Sequence, residues 1–139
     1  MTNKTFLLAS INPSPTVPVK AGADIDDVRF KAVKFDGNGN AVLASTAGEV
    51  FLGIALPTTG DPVGKVKAGD DLDIQIKDMG TAVAGGAVAA GDPLAVNANA
   101  QLVKASAGNF VIGYAMTAAA EAGDIITIQI AKGYCPTGA

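Results

Sequence analysis

The chain has 139 residues and a formal net charge of −3, and hydrophobic residues make up 49% of it while aromatic residues make up only 5%. That length suits one domain with a real core, and the acidic balance with a single arginine, Arg29, argues against direct nucleic-acid binding, which needs clustered Lys and Arg. The absence of histidine excludes Ser-His and Cys-His nucleophile systems and most zinc sites.

The first segment, residues 1–18, differs in composition from the rest of the chain. Pro13, Pro15 and Pro18 fix φ and remove backbone donors, so we expect an extended N-terminal arm in front of a domain at 19–139. An extended segment can add a strand to an exposed sheet edge of a partner. The arm residues that we expect to make this contact are Lys4, Thr5, Phe6, Leu7, Leu8, Ile11, Pro13 and Pro15.

No targeting signal is evident. The apolar run near the N-terminus is too short for a secretory signal, so we expect synthesis in the cytoplasm without cleavage. No stretch reaches the roughly 18 apolar residues of a membrane helix, and we expect no membrane contact. Cys135 is the only cysteine, and we interpret it as an inert thiol that closes no internal disulfide.

The domain contains an internal tandem duplication. A shift of sixty positions aligns residues 40–56 with residues 100–116 without a gap, and the match resumes between residues 69–76 and residues 123–130. The repeat units therefore extend over about 19–77 and 78–132.

Each repeat has the pattern of β-strands. Leu72, Ile74 and Ile76 alternate with polar residues, which is typical of a half-buried strand. Residues 50–56 are apolar at every position, so we expect both faces of that strand to be covered. Gly53 and Gly113 lie in the middle of such strands and indicate a bulge or a close approach of another backbone.

Turn signals recur about every ten residues, and no convincing amphipathic helix is present. This spacing predicts an all-β fold, a small β-barrel or β-sandwich built from the duplicated unit. Because so small a chain has a fully apolar strand in each half, we expect a neighbouring subunit to cover part of them. The core and subunit-contact residues predicted on these strands are Phe51, Gly53, Ile54, Phe110, Ile112, Gly113 and Tyr114.

Some acidic residues are spaced like those of metal and catalytic sites. Asp36, Asn38 and Asn40 in "DGNGN" resemble the start of a calcium loop, but the loop lacks its sixth-position glycine and its twelfth-position glutamate, so a hairpin turn is the better interpretation. The groups Asp24, Asp26, Asp27 and Asp70, Asp71, Asp73 are interpreted as solvated faces. No glycine motif fits a phosphate cradle. We therefore predict no catalytic residue, no metal and no cofactor, and the chain is not expected to be an enzyme.

Three motifs together indicate a family. They are a Gly-Asp turn followed by an apolar strand from residue 91, an apolar-Gly-apolar-Ala strand at residues 52–55 and again around residues 112–115, and the alternating segment at residues 123–130. With these motifs, residues 90–130 resemble the head decoration (capsid cement) proteins of tailed bacteriophages.

That resemblance implies a β-barrel-like homotrimer on the outer surface of the mature head, where it would clamp adjacent subunits of the major capsid protein and stabilise the shell. Residues 1–18 would be the capsid-contacting arm. Two alternatives remain open: another β module of the virion, in the tail tube or baseplate, and a module that binds a host surface or carbohydrate. The shortage of aromatic residues disfavours stacking on sugars.

Overall fold

The computed structural model describes residues 14–57 and 61–137, and in these ranges all regular secondary structure is β. The predicted arm contacts from Lys4 to Pro13 lie outside the described residues. Among the residues described, no helix is long and apolar enough to cross a membrane.

The first repeat forms one five-stranded antiparallel sheet. Its strands are β1 Thr16–Lys20, β2 Ala32–Phe35, β3 Ala41–Leu43, β4 Gly53–Ala55 and β5 Asp71–Gln75, and their order across the sheet is β1-β5-β4-β2-β3. The residues predicted to end the arm, 16–18, therefore lie in edge strand β1, where Val17 faces Ile74 of β5.

The second repeat forms an equivalent sheet. Its strands are β6 Met79–Val83, β7 Pro93–Val96, β8 Leu102–Lys104, β9 Phe110–Ala115 and β10 Ile125–Tyr134, in the order β6-β10-β9-β7-β8. Each strand thus occupies the position of the strand five earlier in the chain. The predicted all-β sandwich built from a tandem duplication is confirmed.

The gap-free alignment of the repeats is wrong by one residue in its first part. In the turn after β2, Asp36 Oδ1 accepts hydrogen bonds from the amides of Asn38 (2.7 Å) and Asn40 (3.0 Å). Asn97 makes the same two bonds after β7, whereas the sixty-position shift would place Val96 opposite Asp36. Ala44 and Thr46 make the backbone bonds that Ala105 and Ser106 make in the second repeat. Ala105 and Ser106 are consecutive, whereas Ser45 lies between Ala44 and Thr46. Ser45 is therefore the extra residue of the first repeat.

The two mid-strand glycines mark a close approach of backbones, as predicted. A Cβ on Gly53 would overlap the carbonyl oxygen of Gln75 on β5, and a Cβ on Gly113 would overlap that of Gln129 on β10. The two contacts are equivalent in the two sheets. No side chain larger than hydrogen fits at either position without displacing the neighbouring strand.

The core has two parts. One cluster belongs to the first repeat and includes Val33, Leu72 and Ile74. The larger cluster joins the repeats, because Ala32 and Ile54 of the first sheet pack with the buried residues of the second. Strand β4 is thus buried on both faces, as predicted, and the second repeat supplies one of the covers.

The predicted coverage does not extend over all of residues 50–56. Val50 lies before β4 and is 58% exposed, whereas its counterpart Phe110 is 7% exposed. The difference arises because Phe110 lies under the first repeat, whereas no described residue covers Val50 in the same way.

Substituting alanine at Gly53 or Gly113 is expected to lower the free energy of unfolding by roughly 1–3 kcal/mol, because the new methyl group overpacks a backbone contact. Gly37 is the matched control, since a Cβ there meets nothing within 4 Å and its φ is not positive. Urea unfolding of the three variants measures the effect. Equal midpoints for Gly53→Ala and Gly37→Ala would contradict the close approach.

Candidate functional site

Backbone hydrogen bonds join the two repeats. The Ala32 amide donates to the Ala100 carbonyl (2.8 Å), and the Val83 amide donates to the Phe30 carbonyl (3.1 Å). Gly48 inserts its backbone between two residues of the second repeat, donating to the Val96 carbonyl (2.9 Å) and accepting from the Phe110 amide (3.2 Å). These bonds fix which faces of the two sheets meet.

Side chains complete this contact. The rings of Phe51 and Phe110 meet edge to face with centroids 5.5 Å apart, and Tyr134 meets Phe110 in the same way at 5.8 Å. Lys132 Nζ donates to the Leu52 carbonyl at 2.8 Å. Partial burial lowers the pKa of Lys132, because the charged form loses hydration.

Most of the predicted strand residues are interior residues of this chain. Phe51, Ile54, Phe110 and Ile112 are all less than a tenth exposed. Tyr114 differs, with 42% of its surface exposed on the outer face of the second sheet. Of the residues predicted for the core and subunit contacts, Tyr114 is therefore the one available to a partner.

Tyr114 belongs to a row of residues that crosses four strands. Pro93 of β7 is paired with Tyr114, Tyr114 with Gln129 of β10, and Gln129 with Met79 of β6. We call these four residues the Tyr114 row. Met79 is 54% exposed, and none of the four residues is charged.

The uncharged surface continues beyond this row on β10. Its next outward positions are Thr127, opposite Thr81, and Ile125, opposite Val83, and Ile125 is 55% exposed. The equivalent positions of β5 are Asp73 and Asp71. This loss of charge is visible in the sequence and could have indicated a contact surface.

A groove lies where the first repeat meets the second. Its volume is about 780 Å³. Phe35, which is 52% exposed, and Val50 form its apolar wall, so we call it the Phe35–Val50 groove. Its remaining lining residues are Lys34, Asp36, Gly37, Val42, Glu49, Phe51, Leu52, Phe110 and Lys132.

An ion pair at the groove holds the turn that carries Gly48. Lys34 Nζ lies 2.9 Å from Glu49 Oε1, and Glu49 Oε2 accepts the amides of Ser45 (2.7 Å) and Thr46 (2.8 Å). Burial alone would raise the pKa of Glu49, but these hydrogen bonds outweigh it, and the pKa lies below the ordinary 4.5. Glu49 thereby positions the turn that contacts the second repeat.

The acidic residues considered for chemistry are used mainly in local structure. Asp24 Oδ1 accepts the Ala68 amide at 2.9 Å, and Asp70 Oδ2 accepts the Lys67 amide at 2.9 Å. Asp27 pairs with Arg29 at 2.9 Å, and this hydrogen bond holds the pKa of Asp27 below its ordinary value. In the described parts of the chain, no group of three acidic or cysteine side chains is placed to hold a metal ion.

The arm joins the domain at its edge strand. Pro15, the one predicted arm contact in the described residues, accepts the Ile76 amide through its carbonyl at 2.9 Å. Ser14 Oγ accepts the Thr16 amide at 3.2 Å. The arm therefore leaves the first sheet at β1, the strand farthest from β3.

The family model described as phage cement protein matches residues 60–130, slightly more than half of the chain. The chain belongs to the phage cement protein family. The predicted resemblance is confirmed, and this cement protein is a structural protein of a phage capsid. No curated protein matches the chain.

The fold of this cement protein is also similar to a solved phage structure. That solved structure is the N base of the head fiber gp8.5 of bacteriophage phi29, and the TM-score between the two folds is 0.60. The sequences are 18% identical, and the match covers 86% of this chain and 95% of that one. At this identity the likeness is one of fold.

Replacing Glu49 with Gln is expected to lower stability at pH 7 by roughly 1 kcal/mol, because a charge-assisted hydrogen bond is lost. The folded pKa of Glu49 is below its unfolded value of 4.5, so its carboxylate stabilises the fold above that pH and this contribution disappears as the pH falls through the folded pKa. Thermal unfolding between pH 7 and pH 3 should therefore show the melting temperatures of the wild type and Glu49→Gln converging below about pH 4.5. The exposed Glu121→Gln serves as control, and parallel curves for Glu49→Gln and the wild type would refute the assignment.

Proposed function

We propose that this cement protein binds the outer surface of the mature phage head as a homotrimer, contacts the major capsid protein and stabilises the expanded shell. Membership of the phage cement family carries the proposal. The protein is made in the host cytoplasm and adds to heads after they expand.

The surface of the domain fits a contact that requires no chemistry. Several of the carboxylates considered for chemistry bond turn amides or pair with basic side chains, as Asp36 does in its hairpin and Asp71 does with Lys20 at 2.8 Å. The Tyr114 row and its neighbours form an uncharged surface on the outer face of the second sheet. An exposed surface that includes apolar residues such as Tyr114 and Met79 favours contact with another protein. The protein therefore acts by binding and needs no cofactor.

The arm supplies the contact with the capsid. Residues 1–13 precede edge strand β1 and carry the apolar side chains of Phe6, Leu7, Leu8 and Ile11. As an extended segment, the arm adds its backbone to an exposed sheet edge of the major capsid protein, and these side chains provide apolar contacts.

Trimerisation makes weak arm contacts sufficient. Three arms on one particle bind three symmetry-related capsid sites, so the second and third contacts form at a high effective concentration. Each bound trimer then links neighbouring capsid subunits, and disruption of the expanded shell must break all three contacts together. The stabilisation thus depends on the number of linked contacts.

Deleting residues 1–13 is expected to abolish binding to heads and to leave the fold intact, because the deletion ends before β1 and spares the Pro15 hydrogen bond. Co-sedimentation with undecorated expanded heads measures binding, and thermal unfolding measures the fold. Wild-type protein should sediment with expanded heads and not with unexpanded ones.

The double variant Phe6→Asp, Leu7→Asp tests the arm without shortening the chain, and Asn3→Asp with Thr2→Asp is its matched control for added charge. The control should retain binding that the first variant loses. Full occupancy by the deleted chain would contradict the role of the arm, and wild-type protein that ignores both forms of the head would contradict the function.

A further inference from the structure

The Tyr114 row has a buried counterpart in the first repeat. The equivalent row is Ala32, Ile54, Gln75 and Thr16, joined across the strands in the same pairs. Ala32, Ile54 and Gln75 are 0%, 1% and 7% exposed, and Ile54 packs in the core cluster shared with the second repeat. In the second repeat the same positions are Pro93, Tyr114 and Gln129, of which Tyr114 is 42% exposed. Among the described residues, the row of the first repeat is covered and the Tyr114 row is exposed.

The site on the second repeat that receives the first repeat also occurs twice, and its residues Val96 and Phe110 share a core cluster with Ala32 and Ile54. In the second repeat, Val96 and Phe110 receive the Gly48 turn and are 1% and 7% exposed. Their counterparts in the first repeat are Phe35 and Val50, at 52% and 58% exposed. Those two residues form the wall of the Phe35–Val50 groove. Residues 14–57 and 61–137 thus contain one complete contact between the repeats, and the residues equivalent to both halves of that contact are exposed a second time.

We propose that the Tyr114 row of one copy packs against the Phe35–Val50 groove of the next copy, head to tail. The contact between copies then repeats the contact between the two repeats of one chain. This inference builds on the oligomer proposed above and names its interface and its partner, a second copy of this chain.

Two backbone differences show that the contact between copies is not identical to the one within the chain. Pro93 is the counterpart of Ala32, whose amide donates to the Ala100 carbonyl. Proline has no amide hydrogen, so Pro93 cannot make the equivalent bond. Gly108, the counterpart of Gly48, donates its amide at 3.0 Å to the carbonyl of Cys135, the residue after β10. The contact between copies therefore depends on burial of side chains, chiefly Tyr114, Phe35 and Val50.

The two surfaces use different residues, so the contact is heterologous. A heterologous contact closes into a ring where its rotation allows and otherwise extends into a filament. A ring of three chains would present six similar sheet units, because each chain supplies two. This geometry is compatible with the proposed homotrimer without any two-fold contact.

Two charge substitutions separate the two surfaces. Tyr114→Lys removes the row and keeps the groove, while Val50→Lys removes the groove and keeps the row. Val63→Lys is the matched control, because Val63 is a valine of similar exposure, 50%, that belongs to neither surface. Mass in solution is measured by analytical ultracentrifugation over a range of concentrations, without heads, and thermal unfolding verifies each fold. Met79→Lys and Phe35→Lys replace either variant if it does not fold.

The wild type and Val63→Lys should form the same oligomer, and each surface variant alone should have the monomer mass of 13.8 kDa. Mixing Tyr114→Lys with Val50→Lys should give dimers that grow no further, because the mixture contains one intact row and one intact groove per pair. If Val50→Lys remains oligomeric while Tyr114→Lys does not, Tyr114 rows pack on each other and the head-to-tail contact is wrong. A mixture that stays monomeric, or a monomeric wild type, overturns the inference as well. Binding of the wild type to heads is scored separately, so loss of this inference is distinguishable from loss of the proposed function.

Discussion

The packing of the second repeat over Ile54 of the first sheet determines which surfaces of this protein are free. The two sheets have the same strand order, and their equivalent strands carry similar apolar patterns. Because the two repeats meet through different faces, the face that is buried in the first repeat is exposed in the second at Tyr114. Ile54 is 1% exposed, whereas Tyr114, at the equivalent position of the second repeat, is 42% exposed.

Much of the fold could be predicted from the sequence because the local signals agree with it. The alternation in residues 71–76 places Leu72 and Ile74 inside. The mid-strand glycines mark close backbone contacts, of β4 with β5 at Gly53 and of β9 with β10 at Gly113. The register of the repeats was harder to predict. Ser45 lies between strands, where an extra residue disturbs no strand pairing, so the two repeats still match well without a gap. The equivalent turns at Asp36 and Asn97 show that this gap-free alignment is displaced by one residue.

The candidate surfaces were less predictable for a physical reason. Sequence patterns report whether a residue can be buried, and they do not report what covers it. Phe110 and Val50 occupy equivalent positions with similar neighbours, yet one is 7% exposed and the other 58%, because the Gly48 turn reaches only one of them. The predicted subunit contacts therefore include residues such as Phe51 and Ile112, whose cover lies within the chain.

The differences between the repeats explain how one unit can be used twice without uncontrolled assembly. An exact copy of the first repeat would offer the amide of Ala32 and the free backbone of Gly48 again at the far end of the chain, and either could pair with another edge. Pro93 removes the first donor, and the extension of β10 to Tyr134 brings the Cys135 carbonyl onto the amide of Gly108. What remains at that end is the uncharged Tyr114 row, whose burial needs a shaped apolar partner. Burial of side chains requires a partner of matching shape, whereas an open backbone edge can pair with almost any strand. The changes in the second repeat therefore favour one defined contact over repeated edge-to-edge pairing.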